Sequence, residues 1–331
     1  MKLASRRAGR DGALLVVSRD LATAVAAADI APTMQAALDE WNAVAPALTA
    51  LYSRLNAGTA HGAFPLDQST LDAPLPRAWQ WLDGSAFSQH GALMAKAFGR
   101  PPIESEYPLM YQGMSHRFIG PHDPVAFARE EDGIDFEGEF AVITGDVQMG
   151  VSGREVTGAS IRLVAMVNDW SLRRLTAAEV KTGFGFVLAK PACSAAPIVV
   201  TPGELGPAWR NFRVDAALEV LRGDTVFGRV PATEMQYGFD ELVAHAARTR
   251  DLCAGTIIGS GTVSSAQYAQ VGSCCISERQ AIEMIDHGRA TTPYLRFGER
   301  IRMAAYAPGE AVPLFGSLDN LVSRSGPAAE R

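Results

Sequence analysis

The chain is poor in cysteine. It has four, Cys193, Cys253, Cys274 and Cys275, with no CxxC pair among them, and vicinal cysteines rarely bond each other. This argues against a disulfide framework and against a zinc–thiolate site, and for buried thiols in a reducing compartment. A basic stripe is also missing. Net charge is −6 and the pI is about 5.6, which argues against nucleic acid as a partner. No long apolar run exists either. "GALLVV", after Arg6, Arg7 and Arg10, is too short for a signal core or a membrane span and reads as a strand. A soluble cytoplasmic protein with no membrane partner is expected. There is no internal repeat, and the one biased tract is the polar tail "SRSGPAAER". "GSGTVS" is neither a P-loop nor a completed GxGxxG, and it marks a tight backbone approach beside a ligand. "GVSGR" is not the GxSxG elbow of serine hydrolases.

What the chain does have is apolar residues, 47% against 20% charged, enough for one large domain or two smaller ones. Strands are expected at "GALLVVSRD" and "TAVAAADI". Met34, Leu38, Trp41 and Val44 then recur at helical spacing, with a break or restart at Pro46. The Gly- and Pro-containing stretch from Gly58 to Pro76 reads as a linker, which puts a small N-terminal domain at 1–72 and a larger one at 73–331. The larger part is mostly β by pattern. Candidate strands are Ala141–Thr144, Ile161–Val167, Phe184–Leu188, Ala196–Val200, Val214–Leu221, Thr256–Ser260 and Arg300–Ala305. One clear late helix, Asp240–Thr249, has Asp240 as its N-cap. Irregular strand spacing with few helices predicts an α+β, mostly β fold with a closed or folded-over mixed sheet, not a doubly wound one.

Within "GIDFEGEFAVITGDV" (Gly133–Val147), Asp135, Glu137 and Glu139 alternate, so a strand would point all three carboxylates one way. That is equally the pattern of a solvated face. The residues that follow are apolar on both faces, however, as in a buried strand, and a buried carboxylate pair must be protonated, ion-paired or metal-bound. Hard dications such as Mg²⁺ and Mn²⁺ take oxygen ligands, so further acids are expected nearby. In "MVNDWSLR" (Met166–Arg173), Asp169 ends an apolar strand, where Asn-Asp alone would read as a turn. "WQWLDGSAFSQH" (Trp79–His90) holds Asp83 and, seven residues later, His90, which alone would read as a surface or core histidine. His116, His122, His245 and His287 lack ligand-like spacing and read as surface or structural.

Taken together, Asp83, Glu137-x-Glu139 and Asp169 in an NDWSxR setting resemble the fumarylacetoacetate hydrolase family, from about residue 76 to the C-terminus. "KTGFGFVLAKPACSAAPIVV" (Lys181–Val200) and "AGTIIGSGTVS" (Ala254–Ser264) add to the likeness. "PLMYQGMSHRFIGPHDPV" (Pro108–Val125) is similar to the bacterial variant. The resemblance implies a mixed β-sandwich or roll, with Asp83, Glu137, Glu139 and Asp169 as ligands of a divalent metal, Mg²⁺ first and Mn²⁺ or Ca²⁺ as alternatives. It implies His90 as general base, Glu278 as the acid orienting it, and Lys190 facing the developing carbanion or its carbonyl. Thr262, Ser85 and Arg173 fall at substrate contacts.

There are departures. Glu278 stands at a different spacing from "GTVS" than in the animal enzymes. Gly84-Ser85 replace aromatic substrate contacts. No exact counterpart exists for the arginine beyond the histidine, where Lys96 or Arg100 stand instead. The implied reaction is hydrolysis of a carbon–carbon bond in a 1,3-diketo acid, fumarylacetoacetate or a related acylpyruvate, as in the breakdown of tyrosine and other aromatics. It would run by His-activated water and a metal-stabilised enolate. The alternatives are a 2-oxo acid decarboxylase, hydratase or isomerase on the same enolate logic, or a silent ligand-binding relative. The resemblance also implies a homodimer.

Overall fold

Every residue of Gly138–Thr144 is buried in the computed structural model, which describes residues 1–97, 99 and 105–326. That strand lies deep in an 11-stranded sheet. The order along it is Phe64–Pro65, Thr23–Ala26, Ala13–Val17, Lys2–Arg6, Ile198–Val200, Ile161–Asn168, Gly138–Thr144, Ile257–Gly259, Trp81–Gly84 and Met110–Gly113, with Ser194–Ala195 pairing Ile161–Asn168 off this path. All neighbours are antiparallel except Ile257–Gly259 with Trp81–Gly84, which run parallel.

Strand alternation divides the side chains between two cores. Phe140, Val142, Val164, Met166 and Ile258 face a core shared with a second, five-stranded sheet, through Leu218, Val220, Met303, Ala305 and Leu318. That sheet runs Thr225–Pro231, Ala217–Arg222, Arg300–Tyr306, Ser317–Arg324, Val125–Phe127. Ala141, Ile143, Leu163, Ala165 and Ile257 face the other core, closed by Met34, Leu38, Leu48, Leu51 and Leu55 of the N-terminal helices. The fold is therefore α+β and strand-rich, helices on sheet on sheet. A strand apolar on both faces is what a middle layer requires. The sheets are open and folded over each other rather than closed.

Several local expectations change. The early helix breaks at Glu40, between Met34–Asp39 and Trp41–Asn56, and Pro46 is accommodated inside the second piece. The Gly58–Pro76 stretch is no loose tether. Its Phe64–Pro65 strand edges the main sheet, and Leu71, Ala73 and Leu75 are buried. The late helix is Phe239–Ala246, capped at Gly238, whose N–H donates to Glu241 Oε2 at 2.8 Å, so Asp240 lies in the first turn. Phe184–Leu188 is not a strand. The N–H groups of Val187, Leu188 and Ala189 all donate to the Glu179 carboxylate at 2.9 Å, which takes the donors a ladder would need. Phe184, Val187 and Leu188 stay outside, Phe184 at 97% exposure, while Phe186 packs edge-on against Tyr111. Helices at Ser88–Ala97, Arg173–Thr182 and Ile276–His287 were not expected. No helix among the described residues is long and apolar enough to cross a membrane.

Candidate active site

The central strands bring the acids to one end of the main sheet. Asp83 pairs with Gly259, and Gly259 with Ala141, two residues beyond Glu139 on the same face. Glu139 in turn faces Val167, two residues before Asp169. Carboxylate oxygens of Asp83, Glu139 and Asp169 lie within 4.8 Å of one another. Glycine at 259 leaves this room. A Cβ there would sit 2.3 Å from Asp83 Oδ1 and 2.4 Å from the Trp81 ring. Gly261, at φ +76°, lets the backbone pass against Gly84 and Ser85 and donate its N–H to Asp83 Oδ1 at 3.1 Å. The tight approach expected of "GSGTVS" is thus real, and it brings buried Thr262 and exposed Ser85 beside Asp83.

The three alternating carboxylates end in three environments. Asp135 is fully buried. It accepts the N–H groups of Ile276 and Ser277, at 2.8 and 2.9 Å, at the start of the Ile276–His287 helix, and Arg173 Nε at 2.8 Å. Glu137 is apart from the three-acid cluster and forms ion pairs with Arg173 and Lys190. Burial raises its proton affinity, but the two cations outweigh this and hold its carboxyl well below the usual range. Glu139 pairs with no cation among the described residues. Neither of its oxygens meets a hydrogen-bond donor among the described residues. Burial, then Asp83 and Asp169, pushes its carboxyl well up, and burial and Asp169 do the same to Asp83. In the metal-free protein both carboxyls are therefore biased toward the neutral acid.

Within the three-acid cluster Asp169 is the best anchored. Its Oδ2 accepts from Lys190 Nζ at 2.5 Å and from the Tyr111 hydroxyl at 2.7 Å, and Cys193 Sγ lies 3.0 Å from Oδ1. Lys190 also lies over the Tyr111 ring, 5.3 Å from its centroid. Burial opposes the lysine's charge, yet Asp169 and Glu137 together keep its pKa above the ordinary value. Arg173, expected at the substrate, has its guanidinium engaged by Asp135 and Glu137. Of the two candidates for a further basic contact, Lys96 ends the Ser88–Ala97 helix and Arg100 lies outside the described residues.

His90 and Glu278 come from different helices, Ser88–Ala97 and Ile276–His287, yet His90 Nδ1 is 2.9 Å from Glu278 Oε2. Glu278 is fully buried while the imidazole is partly open. A ring nitrogen of His90 also lies within 4.8 Å of a Glu137 oxygen and of Cys275 Sγ. The sequence reading missed Tyr111 and Cys275. Cys275-x-x-Glu278 has the spacing of a capping box, and the Cys275 sulfur does accept the Glu278 N–H, at 3.3 Å.

The acid cluster fits a hard dication. It offers oxygen donors only, two of them on Glu139 with no hydrogen-bond donor among the described residues, in a space kept open by a missing Cβ.

A family model described as the fumarylacetoacetate (FAA) hydrolase C-terminal domain matches residues 80–323, and one for the fumarylacetoacetase N-terminal domain 2 matches residues 1–77. No curated protein matches the chain. Similar solved structures include maleylpyruvate hydrolase from Sphingobium sp. SYK-6, in complex with manganese(II) ion and pyruvate (TM-score 0.65, 17% identity). A fumarylacetoacetate hydrolase from psychrophilic Exiguobacterium antarcticum is also similar (0.65, 15%), as is 5-carboxymethyl-2-hydroxymuconate delta-isomerase from Mycobacterium smegmatis (0.61, 18%). In each case 98% of this chain and 100% of the other is covered. At these identities the likeness is one of fold.

Proposed function

Because the chain belongs to the fumarylacetoacetate hydrolase family, we propose that it hydrolyses a carbon–carbon bond in a 1,3-diketo acid, fumarylacetoacetate or another acylpyruvate. The observation that carries this is the His90–Glu278 pair beside the acid cluster. Enolate chemistry alone, as in an isomerase or decarboxylase, does not require a base for water at that place. The relative solved with manganese(II) and pyruvate supports the reading, since water cleaving an acylpyruvate releases pyruvate and a carboxylic acid.

Asp83, Glu139 and Asp169 would hold a divalent ion, with Glu137 joining them if it yields one of its ion pairs. Mg²⁺ or Mn²⁺ suits oxygen donors. When bound, such an ion supplies Lewis-acid polarisation of the substrate carbonyl. The remaining work falls to the chain's own groups. Glu278 accepts a hydrogen bond from Nδ1–H of His90 and so leaves the other ring nitrogen as acceptor. That nitrogen removes a proton from water as the water oxygen bonds to the carbonyl carbon. Collapse breaks the carbon–carbon bond, the electron pair leaves with the pyruvate carbon as an enolate, and the imidazolium returns the proton to that carbon. Lys190 Nζ has three N–H donors, of which Glu137 and Asp169 take two, so the third is available to the enolate oxygen. Ser85 and Thr262 flank Asp83 as substrate contacts. Arg173 acts one step back, holding Glu137.

Residues 73–331 carry this chemistry on the present reading, and residues 1–72 form a supporting unit. The test is to follow the ultraviolet absorbance of acylpyruvates with and without Mg²⁺, and to identify the products. Isomerised or decarboxylated product without cleavage by water would replace this function with its nearest alternative.

A further inference from the structure

The two oxygens of Glu137 are held by two cations, Oε1 by Arg173 and Oε2 by Lys190. Both cations belong to one short stretch of chain. Arg173 opens the helix Arg173–Thr182, and the chain then turns back through Gly183 and Gly185, at φ +72° and +93°, to reach Lys190. The returning segment is not fastened by a core. Phe184, Val187 and Leu188 are exposed, and Phe186 alone among its large side chains packs inward, edge-on to Tyr111 with ring centroids 5.2 Å apart. Its backbone is fastened instead by one side chain. Glu179 Oε1 accepts the N–H groups of Val187 and Leu188, and Oε2 accepts that of Ala189, the residue before Lys190.

Glu179 stands where local rules disfavour it. It lies in the last turn of its helix, at the negative end of the macrodipole. Burial raises its proton affinity, yet the three N–H groups outweigh this and hold the carboxyl below the usual range. The contacts close a ring. Glu137 binds Arg173, the helix runs on to Glu179, Glu179 binds Ala189, and Lys190 returns to Glu137. The Leu172 N–H, donating to the Ala189 carbonyl at 2.8 Å, ties the ring across its base.

We propose that Glu179 is a positioning residue, bracing the segment that carries Lys190 and so fixing where the free N–H of that lysine meets the enolate oxygen. Glu179 acts through Lys190 and, by way of Phe186, through Tyr111, which holds Asp169. A carboxylate suits the task because both of its oxygens accept. An amide has one accepting oxygen and would turn N–H groups toward the remaining donors. Glu179→Gln therefore breaks the brace on one side while nearly preserving size.

The experiment is acylation of lysines by acetic anhydride, mapped by mass spectrometry on the full chain, for wild type and Glu179→Gln. Lys190 is buried and ion-paired, so wild type should leave it unlabelled, whereas exposed Lys181 reacts. In the variant, Lys190 labelling should rise toward that of Lys181, and hydrogen exchange at Val187, Leu188 and Ala189 should quicken. Lys2, buried in the first strand, is the control for general loosening and should stay shielded. A Lys190 that remains shielded, or a rise matched by Lys2, would overturn the positioning role. The kinetic consequence rests on the proposed hydrolysis. Turnover of an acylpyruvate should fall by about a hundredfold, the cost of a catalytic group misplaced by about 1 Å. KM should change little, because the enolate charge develops after binding. Added to Lys190→Ala, Glu179→Gln should cost almost nothing more, since both act through one group. A full further loss in the double variant would overturn the route through Lys190. Wild type that cleaves no acylpyruvate, with Lys190 newly labelled in Glu179→Gln, would count against the hydrolase reading and leave the brace standing.

Discussion

His90 Nδ1 stands 2.9 Å from Glu278 Oε2 across 188 residues of sequence. The Ser88–Ala97 helix that follows Asp83 and the Ile276–His287 helix meet at this contact. If it orients a base, His90→Ala should lower turnover of an acylpyruvate by roughly a hundred- to ten-thousandfold while leaving Mn²⁺ affinity nearly intact. Steady-state kinetics on variant shown folded by circular dichroism decide this. Turnover within about twofold of wild type, far short of that range, would reject His90 as the base and favour an isomerase or decarboxylase.

Glu139 gives a sharper test of the metal reading than activity does. Its carboxyl is buried without a hydrogen-bond donor, so it contributes little to the metal-free fold. Glu139→Gln should therefore lose Mn²⁺ binding by calorimetry, yet unfold in urea, with metal removed by EDTA, at a concentration no lower than wild type. Wild-type affinity in the variant, or full activity of wild type in excess EDTA, would sink the proposed ligand set.

Tyr111 holds Asp169 from outside the cluster, at 2.7 Å. Removing that hydroxyl in Tyr111→Phe leaves the ring over Lys190 but frees the carboxylate to turn. Metal affinity should fall by ~10–100-fold, the usual cost of an outer partner, with turnover at saturating metal much less affected. Unchanged affinity would mean that Lys190 and Cys193 position Asp169 without the tyrosine.

His122 carries a pH dependence of stability. It is half-buried near Asp319, Arg7, Asp123 and Asp67, and burial is the main cause that lowers its pKa below the ordinary value. The unfolded chain then binds the proton more readily than the folded one. The stabilisation is fully present above the unfolded pKa, about 6.5, and is lost as pH falls through the folded value. Urea unfolding at about pH 7.5 and about pH 5.5 should show a smaller loss for His122→Gln than for wild type. Parallel losses in the two proteins would show that His122 does not contribute.

Assembly is also open to test. The family resemblance leads us to propose a homodimer, and light scattering at micromolar concentration should give about twice the chain mass. A monomer mass would count against it.

Much of the site was legible along the chain. Strand period and apolar runs marked Ala141–Thr144 and Ile161–Val167 as buried, and acids at the ends of such strands had to be protonated, ion-paired or metal-bound. Those inferences are local, because a side chain's face is decided by its neighbours two residues away. Only the tertiary structure decided what each carboxylate faces. Asp135, Glu137 and Glu139 alternate identically in sequence. Yet one fastens a helix, one pairs with Arg173 and Lys190, and one meets no hydrogen-bond donor among the described residues. The partners come from segments tens to more than a hundred residues away, and no periodicity encodes which of them arrives. The same holds for Phe184–Leu188, apolar enough for a strand but claimed by the Glu179 carboxylate before any ladder could form. The sequence determined that acids would be buried; the packing of distant elements decided which of them remain uncompensated, because electrostatic balance is set by neighbours in space.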